Sequence, residues 1–142
     1  MSSHADNYGL PSAFGTIALF GASGQIGGRI LNALVSSNRK DFEIIAFVPP
    51  GSDSQVSKSV TVKAFDLKQA TREQLAQDLK GVDAIVSALN GPALEAQATI
   101  QDAAAEAGVQ RFYPSEHGLH QIYRKPNDPM GHIHPAWNLK AL

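Results

Sequence analysis

The sequence predicts a doubly wound α/β fold: a parallel sheet ordered 3-2-1-4-5 with helices on both faces. Three observations carry that prediction. Apolar runs recur at 16–20, 42–48, 60–65, 83–89 and 109–113. Segments with helical spacing fall between them, the first being Ile26, Ile30, Leu31, Leu34 and Val35. A glycine turn, Gly21-Ala22-Ser23-Gly24-Gln25-Ile26-Gly27, joins the first run to that first helical segment. Runs that are apolar throughout fit parallel strands covered on both faces. Alternating strand and helix signals select the α/β class, and right-handed crossovers leave few strand orders.

The elements follow in order. Residues 1–14 are polar and aperiodic and are expected to form a flexible tail. The first strand runs over 16–20 and the first helix over about 25–37, ended by the polar cluster at 36–41. Pro49-Pro50-Gly51 stops the second strand. A Ser-rich exposed stretch leads to the third strand at 60–65. Thr71-Arg72-Glu73-Gln74 has the form of a capping box, and Gly81 suits the residue after the second helix. Asn90-Gly91-Pro92 turns the chain after the fourth strand, and Pro92 fits the first position of an Ala-rich helix ending at Gly108. After the fifth strand and Pro114 the rhythm breaks into a long loop, 115–134, before a last helical segment at 136–142.

Composition bounds the rest. A chain of 142 residues suits one domain, here expected over 15–142. With 43% hydrophobic and 18% charged residues it reads as an ordinary globular protein. A net charge of -1 without a basic block argues against nucleic acid or an anionic membrane as a partner. The absence of cysteine excludes disulfides and thiolate metal sites. No signal-peptide pattern and no apolar run of the ~20 residues needed to span a bilayer is present, so a cytoplasmic location is expected.

The glycine turn carries the chemistry. Strand, glycine turn and helix form the entrance of a dinucleotide-binding unit. Glycines let the backbone turn tightly and approach a pyrophosphate, and the helix N-terminus offers free N–H groups and positive dipole charge. The spacing is G-x-x-G-x-x-G, at Gly21, Gly24 and Gly27, and not the usual G-x-G-x-x-G. A turn of this composition that holds no ligand is the competing reading.

Two further stretches make a family resemblance specific. Arg111-Phe112-Tyr113-Pro114-Ser115-Glu116-His117-Gly118 resembles the R-F-x-P-S-E-F-G segment of the NmrA-like and isoflavone reductase-like proteins, with His117 in place of Phe. Trp137-Asn138-Leu139-Lys140-Ala141 resembles the helix start that carries their active-site lysine. Asp66-Leu67 and Gly81-Val82-Asp83 also fit. The resemblance implies an atypical short-chain dehydrogenase/reductase with a Rossmann domain. Such an enzyme moves hydride from NAD(P)H to a small organic, often aromatic, substrate. It implies that Gly21, Ala22, Ser23, Gly24, Gln25, Ile26 and Gly27 hold the pyrophosphate. Asp66 and Leu67 lie beside the adenine, and Ala88, Leu89 and Asn90 border the ribose on the nicotinamide side. By the same resemblance, Ser115 and Glu116 would flank the nicotinamide and Lys140 would be the catalytic residue. An ammonium there would offset the negative charge that hydride transfer builds on the substrate.

The sequence also departs from the pattern. Where the family commonly carries an Arg after the second strand, this chain has Pro49, and no acid replaces it. Lys58 is near enough in sequence to meet a 2′-phosphate, as are Arg39 and Lys40, so the expected cofactor leans to NADP(H) over NAD(H). The Tyr-x-x-x-Lys pair of ordinary short-chain dehydrogenases is missing, because Ala136 stands four residues before Lys140. His117, His120, His132 and His134 lack a carboxylate at ligand spacing, so no metal site is expected. Family members continue well past this length into a smaller C-terminal substrate domain. The chain is therefore expected to be a truncated N-terminal part, with that domain absent. The reading is a reductase, with two alternatives: a non-catalytic dinucleotide-responsive regulator with a protein partner, and an inactive fragment.

Overall fold

A computed structural model describes residues 14–38, 41–52 and 58–115. Five strands form one sheet: β1 (Thr16–Phe20), β2 (Glu43–Val48), β3 (Val60–Ala64), β4 (Ala84–Ser87) and β5 (Arg111–Tyr113). All neighbours are parallel and the order is β3-β2-β1-β4-β5, as the sequence predicts. Three α-helices connect them: α1 (Gln25–Val35), α2 (Arg72–Asp78) and α3 (Gln97–Ala107). The order reverses at β1, so the loops after β1 and β4 diverge there and leave a crevice at their carboxyl ends.

Side chains alternate between the two faces of the sheet. On one face Ala18, Phe20, Phe47 and Ile85 pack with Leu75, Ala76 and Leu79 of α2 and with Ile100, Ala103 and Ala104 of α3. On the other, Leu19, Ile44, Ala46 and Val48 pack with Leu31 of α1, and Ile30, Leu34 and Val35 flank it. Burial of such side chains contributes about 1.5–3 kcal/mol each before entropy is counted. Near the carboxyl ends, three rings join β1, β2 and the residue after β3. Phe20 and Phe47 stack at 4.3 Å between centroids, and Phe65 stands edge-on to them at 5.2 and 6.4 Å.

The opposite ends of the strands are fixed by Asp83. One carboxylate oxygen accepts the N–H groups of Gly15 at 2.8 Å and Thr16 at 2.9 Å. The Asp83 carbonyl accepts those of Gln110 and Arg111 at 2.9 and 3.2 Å. These bonds explain why β4 and β5 begin later than their apolar runs: Asp83 and Gln110 serve the junction before the ladder starts. Val109 is likewise committed, since its N–H closes α3 onto the Ala104 carbonyl at 3.0 Å behind the left-handed Gly108.

Two helix ends differ from the sequence reading. Gly91–Ala96 winds as a 3-10 helix before α3, so Pro92 opens that tighter turn and not the α-helix. Asn90 makes no side-chain cap there, and the Gln97 N–H still bonds three residues back to Leu94. At α2, the Gln74 N–H does donate to the Thr71 hydroxyl at 3.2 Å, as the capping-box pattern requires. The C-cap is Leu79, so the left-handed Gly81 falls one residue later than a C′ glycine.

Candidate functional site

The crevice is built from the glycine turn upward. Gly21 follows β1 with φ +85°, and a Cβ on it would stand 2.7 Å from the Ala88 carbonyl oxygen. Both facts require glycine, and the close approach sets the turn against the end of β4. A Cβ on Gly27 would overlap the Gly21 carbonyl. Gly24 is different. Its φ of −80° suits any residue, and a Cβ there would reach only the Gly21 oxygen at 3.4 Å, an ordinary contact. The fold itself does not demand glycine at this position, which is exposed and faces the crevice.

The crevice is an open cleft of about 130 Å³. Gly21, Ser23 and Gly24 form one wall, and Ala88, Leu89, Asn90 and Ala93 form another. Phe47, Val48 and Pro49 from β2 and its exit, with Phe65 and Leu67 from the exit of β3, complete it. None of these residues is charged. Among the described residues no side chain caps the N-terminus of α1: Gly24 provides none, and no acidic residue lies in the first turn. The free N–H groups and positive dipole end of an 11-residue helix favour an anion at this wall. The apolar side chains opposite favour a flat, poorly hydrated group beside it.

Residues 14–142 match the model of the NmrA-like family. The chain belongs to that family. Among curated relatives, this NmrA-like chain is 33% identical over 102 residues to oxidoreductase aprR of Aspergillus flavus, covering 72% of its own length and 33% of the relative's. It is 30% identical over 120 residues to isoeugenol synthase 1 of Clarkia breweri, covering 80% and 38%. The chain thus spans about a third of the length of these relatives. Its fold matches the solved leucoanthocyanidin reductase–NADPH complex of Vitis vinifera with a TM-score of 0.67 and 23% identity, over 84% of this chain and 42% of that one.

The residues expected from the sequence fall into three groups on this NmrA-like fold. Gly21, Ser23, Gly24, Leu67, Ala88, Leu89 and Asn90 come together at the cleft. Others stand beside it. Ala22 is buried against the α1 face of the sheet, Gly27 is buried under the turn, and Gln25 and Ile26 are exposed on the first turn of α1. Asp66 folds onto its own turn, its carboxylate accepting the Lys68 N–H at 2.9 Å, and lines a separate depression with Gln69, Gln74 and Asp78. Lys58 is exposed and is not among the cleft's lining residues. Ser115 is half-buried behind Leu89. Glu116, Lys140, Arg39, Lys40 and the four histidines at 117, 120, 132 and 134 lie outside the described residues.

Sequence reasoning missed the floor of the cleft. Phe47 and Phe65 read as strand residues, and their apolar character does not say that one ring edge meets a crevice. It also missed Gln97, whose side chain takes the Ser115 N–H at 2.8 Å. No local pattern marks that pair, because it joins residues 18 apart.

Proposed function

We propose that this NmrA-like chain binds NADP(H) as the dinucleotide-binding part of a reductase acting on a small organic substrate, with aromatic compounds the first class to try. The observation that carries the reading is Gly24. It is glycine where the fold tolerates a side chain, it lines the cleft, and it opens a helix that has no side-chain cap among the described residues. A pyrophosphate at that N-terminus accounts for all three facts, since a Cβ would hold its oxygens away from the N–H groups. The adenine then takes the apolar side beside Leu67, and the Ala88–Asn90 wall is left to border the ribose on the nicotinamide side. The oxidoreductase relatives and the NADPH complex of leucoanthocyanidin reductase support the same class of cofactor. The lean to NADP(H) rests on Lys58, since neither an acid nor an arginine follows β2 within 49–52.

The test is a titration of the purified chain with NADPH and NADH by intrinsic fluorescence or calorimetry. NADPH is expected to bind tighter, and Lys58→Ala to narrow the difference. Tighter NADH binding would remove the NADP preference, and binding of neither would remove the dinucleotide reading. Lys140 is proposed as the catalytic cation by family resemblance. Its replacement by Ala should slow NADPH consumption with quinone or aromatic carbonyl acceptors by about 10²–10⁴-fold while leaving NADPH affinity unchanged.

One observation favours a second reading. Among the described residues no titratable side chain lines the cleft, so none of them would supply an acid or base to a ligand there. A chain that binds dinucleotide, turns nothing over and retains a protein partner in pull-downs would be a regulator.

A further inference from the structure

Beyond Val86 and Tyr113, the last paired residues of β4 and β5, the strands part and the ladder between them ends. On the β1 side the Ala88 N–H still reaches the Phe20 carbonyl at 2.9 Å. The Leu89–Asn90 peptide, two further on, is held instead by a side chain, which a second side chain anchors. The Ser115 hydroxyl donates to the Leu89 carbonyl at 2.6 Å, and the Ser115 N–H donates to Oε1 of Gln97 at 2.8 Å. One serine thus joins the exit of β5, the wall of the cleft and the first residue of α3. The far side of this clamp is rigid, because Ile100, Ala103 and Ala104 of α3 are packed in the core.

We infer that Ser115 and Gln97 are positioning residues for the dinucleotide, holding the Leu89–Asn90 peptide so that its carbonyl stays turned out of the cleft. The inference rests on the dinucleotide reading above. A trans peptide is planar, so its carbonyl and N–H point in opposite directions. With the Leu89 oxygen bound to Ser115, the Asn90 N–H faces the other way. Leu89 and Asn90 both line the cleft. A released carbonyl could rotate inward and set the negative end of its dipole against the ribose and phosphates that the α1 terminus attracts. The family resemblance puts Ser115 beside the nicotinamide. Here its hydroxyl proton is committed to a main-chain carbonyl, so it does not also donate to a ligand, and it acts on one through residues 89–90.

The experiment measures NADPH affinity and apo melting temperature for the wild-type chain, Ser115→Ala, Ser115→Thr, Gln97→Met and a control, Arg72→Ala. The control breaks a surface ion pair between α2 and α3 at 3.1 Å, away from the cleft. Ser115→Ala and Gln97→Met should each weaken NADPH binding about 3- to 10-fold, the worth of one hydrogen bond. Ser115→Thr, which keeps the hydroxyl, should restore affinity, and Arg72→Ala should bind as the wild type does. In Gln97→Met without ligand, the Ser115 amide should exchange with solvent faster. If Ser115→Ala does not fold, Gln97→Met decides, since it keeps the serine but removes the anchor of its N–H and so loosens the hydroxyl that holds the Leu89 carbonyl. Wild-type affinity in both clamp variants would overturn the positioning role and leave the dinucleotide site standing. Equal loss in Arg72→Ala would overturn it too, by showing that affinity follows general stability. A wild-type chain that binds no dinucleotide overturns the site and the clamp's role in it together.

Discussion

Gly24 and Gly27 stand three residues apart in one turn and are glycine for different reasons. A methyl group at Gly27 runs into the Gly21 carbonyl, so Gly27→Ala should destabilise the chain by about 3 kcal/mol, the upper part of the overpacking range. A methyl group at Gly24 meets only an ordinary contact and projects at the cleft. Gly24→Ala should cost less than about 1 kcal/mol of stability, from the poorer N-cap. Its NADPH affinity should fall about tenfold or more, the loss of one hydrogen bond to a charged group. Urea unfolding and a fluorescence titration on the two variants separate the roles. Equal stability losses would show that both glycines serve the fold alone. The sequence marks all three glycines but does not rank them. Ranking needs the distance from each missing Cβ to main-chain atoms of β4 or the turn, which spacing does not contain.

At the scale of elements, the features legible in the sequence are those decided locally. β1 is bounded by Gly15 and Gly21, β2 is stopped by Pro49-Pro50, and α2 is opened by Thr71, all within a few residues of the element they delimit. Thr71→Ala should lower stability by about 0.5–2 kcal/mol, seen as a lower urea midpoint at unchanged slope, and leave NADPH affinity intact. A change in affinity would mean that α2 reaches the cleft. The less legible features were decided at a distance. β5 is three residues long because Val109 and Gln110 bond to Ala104 and Asp83. The 3-10 turn before α3 was hidden because Pro92 suits the start of either kind of helix, while the Ala-rich run that follows favours the α-helix. The clamp of Ser115 on Leu89 spans 26 residues, so half of its meaning lies outside any sequence window.

For the whole molecule, the order β3-β2-β1-β4-β5 brings Gly21, Ser23, Gly24, Leu67, Ala88, Leu89 and Asn90 to the carboxyl ends of the strands, although they come from three separate stretches of the chain. A ligand bound there touches the exits of β1, β2, β3 and β4 together. It should therefore stabilise the fold as a unit. With NADPH at about 100 times its Kd the gain is about 2.7 kcal/mol. For a chain of 142 residues that corresponds to a rise in Tm of roughly 9 °C. Calorimetry with and without NADPH checks this. Binding with no change in Tm would show that the site survives in the unfolded chain or that melting begins elsewhere.

Phe20 is wholly buried, but Phe47, stacked on it, and Phe65, across their edges, belong to the core and to the cleft at once. The interior has no layer that separates structural side chains from those a ligand would touch. A substitution deep under the sheet that tilts one ring is passed to the crevice by direct contact. If the cleft holds the proposed dinucleotide, affinity becomes a gauge of packing: loosening of the core should register as weaker binding at temperatures where the chain still shows its full secondary structure.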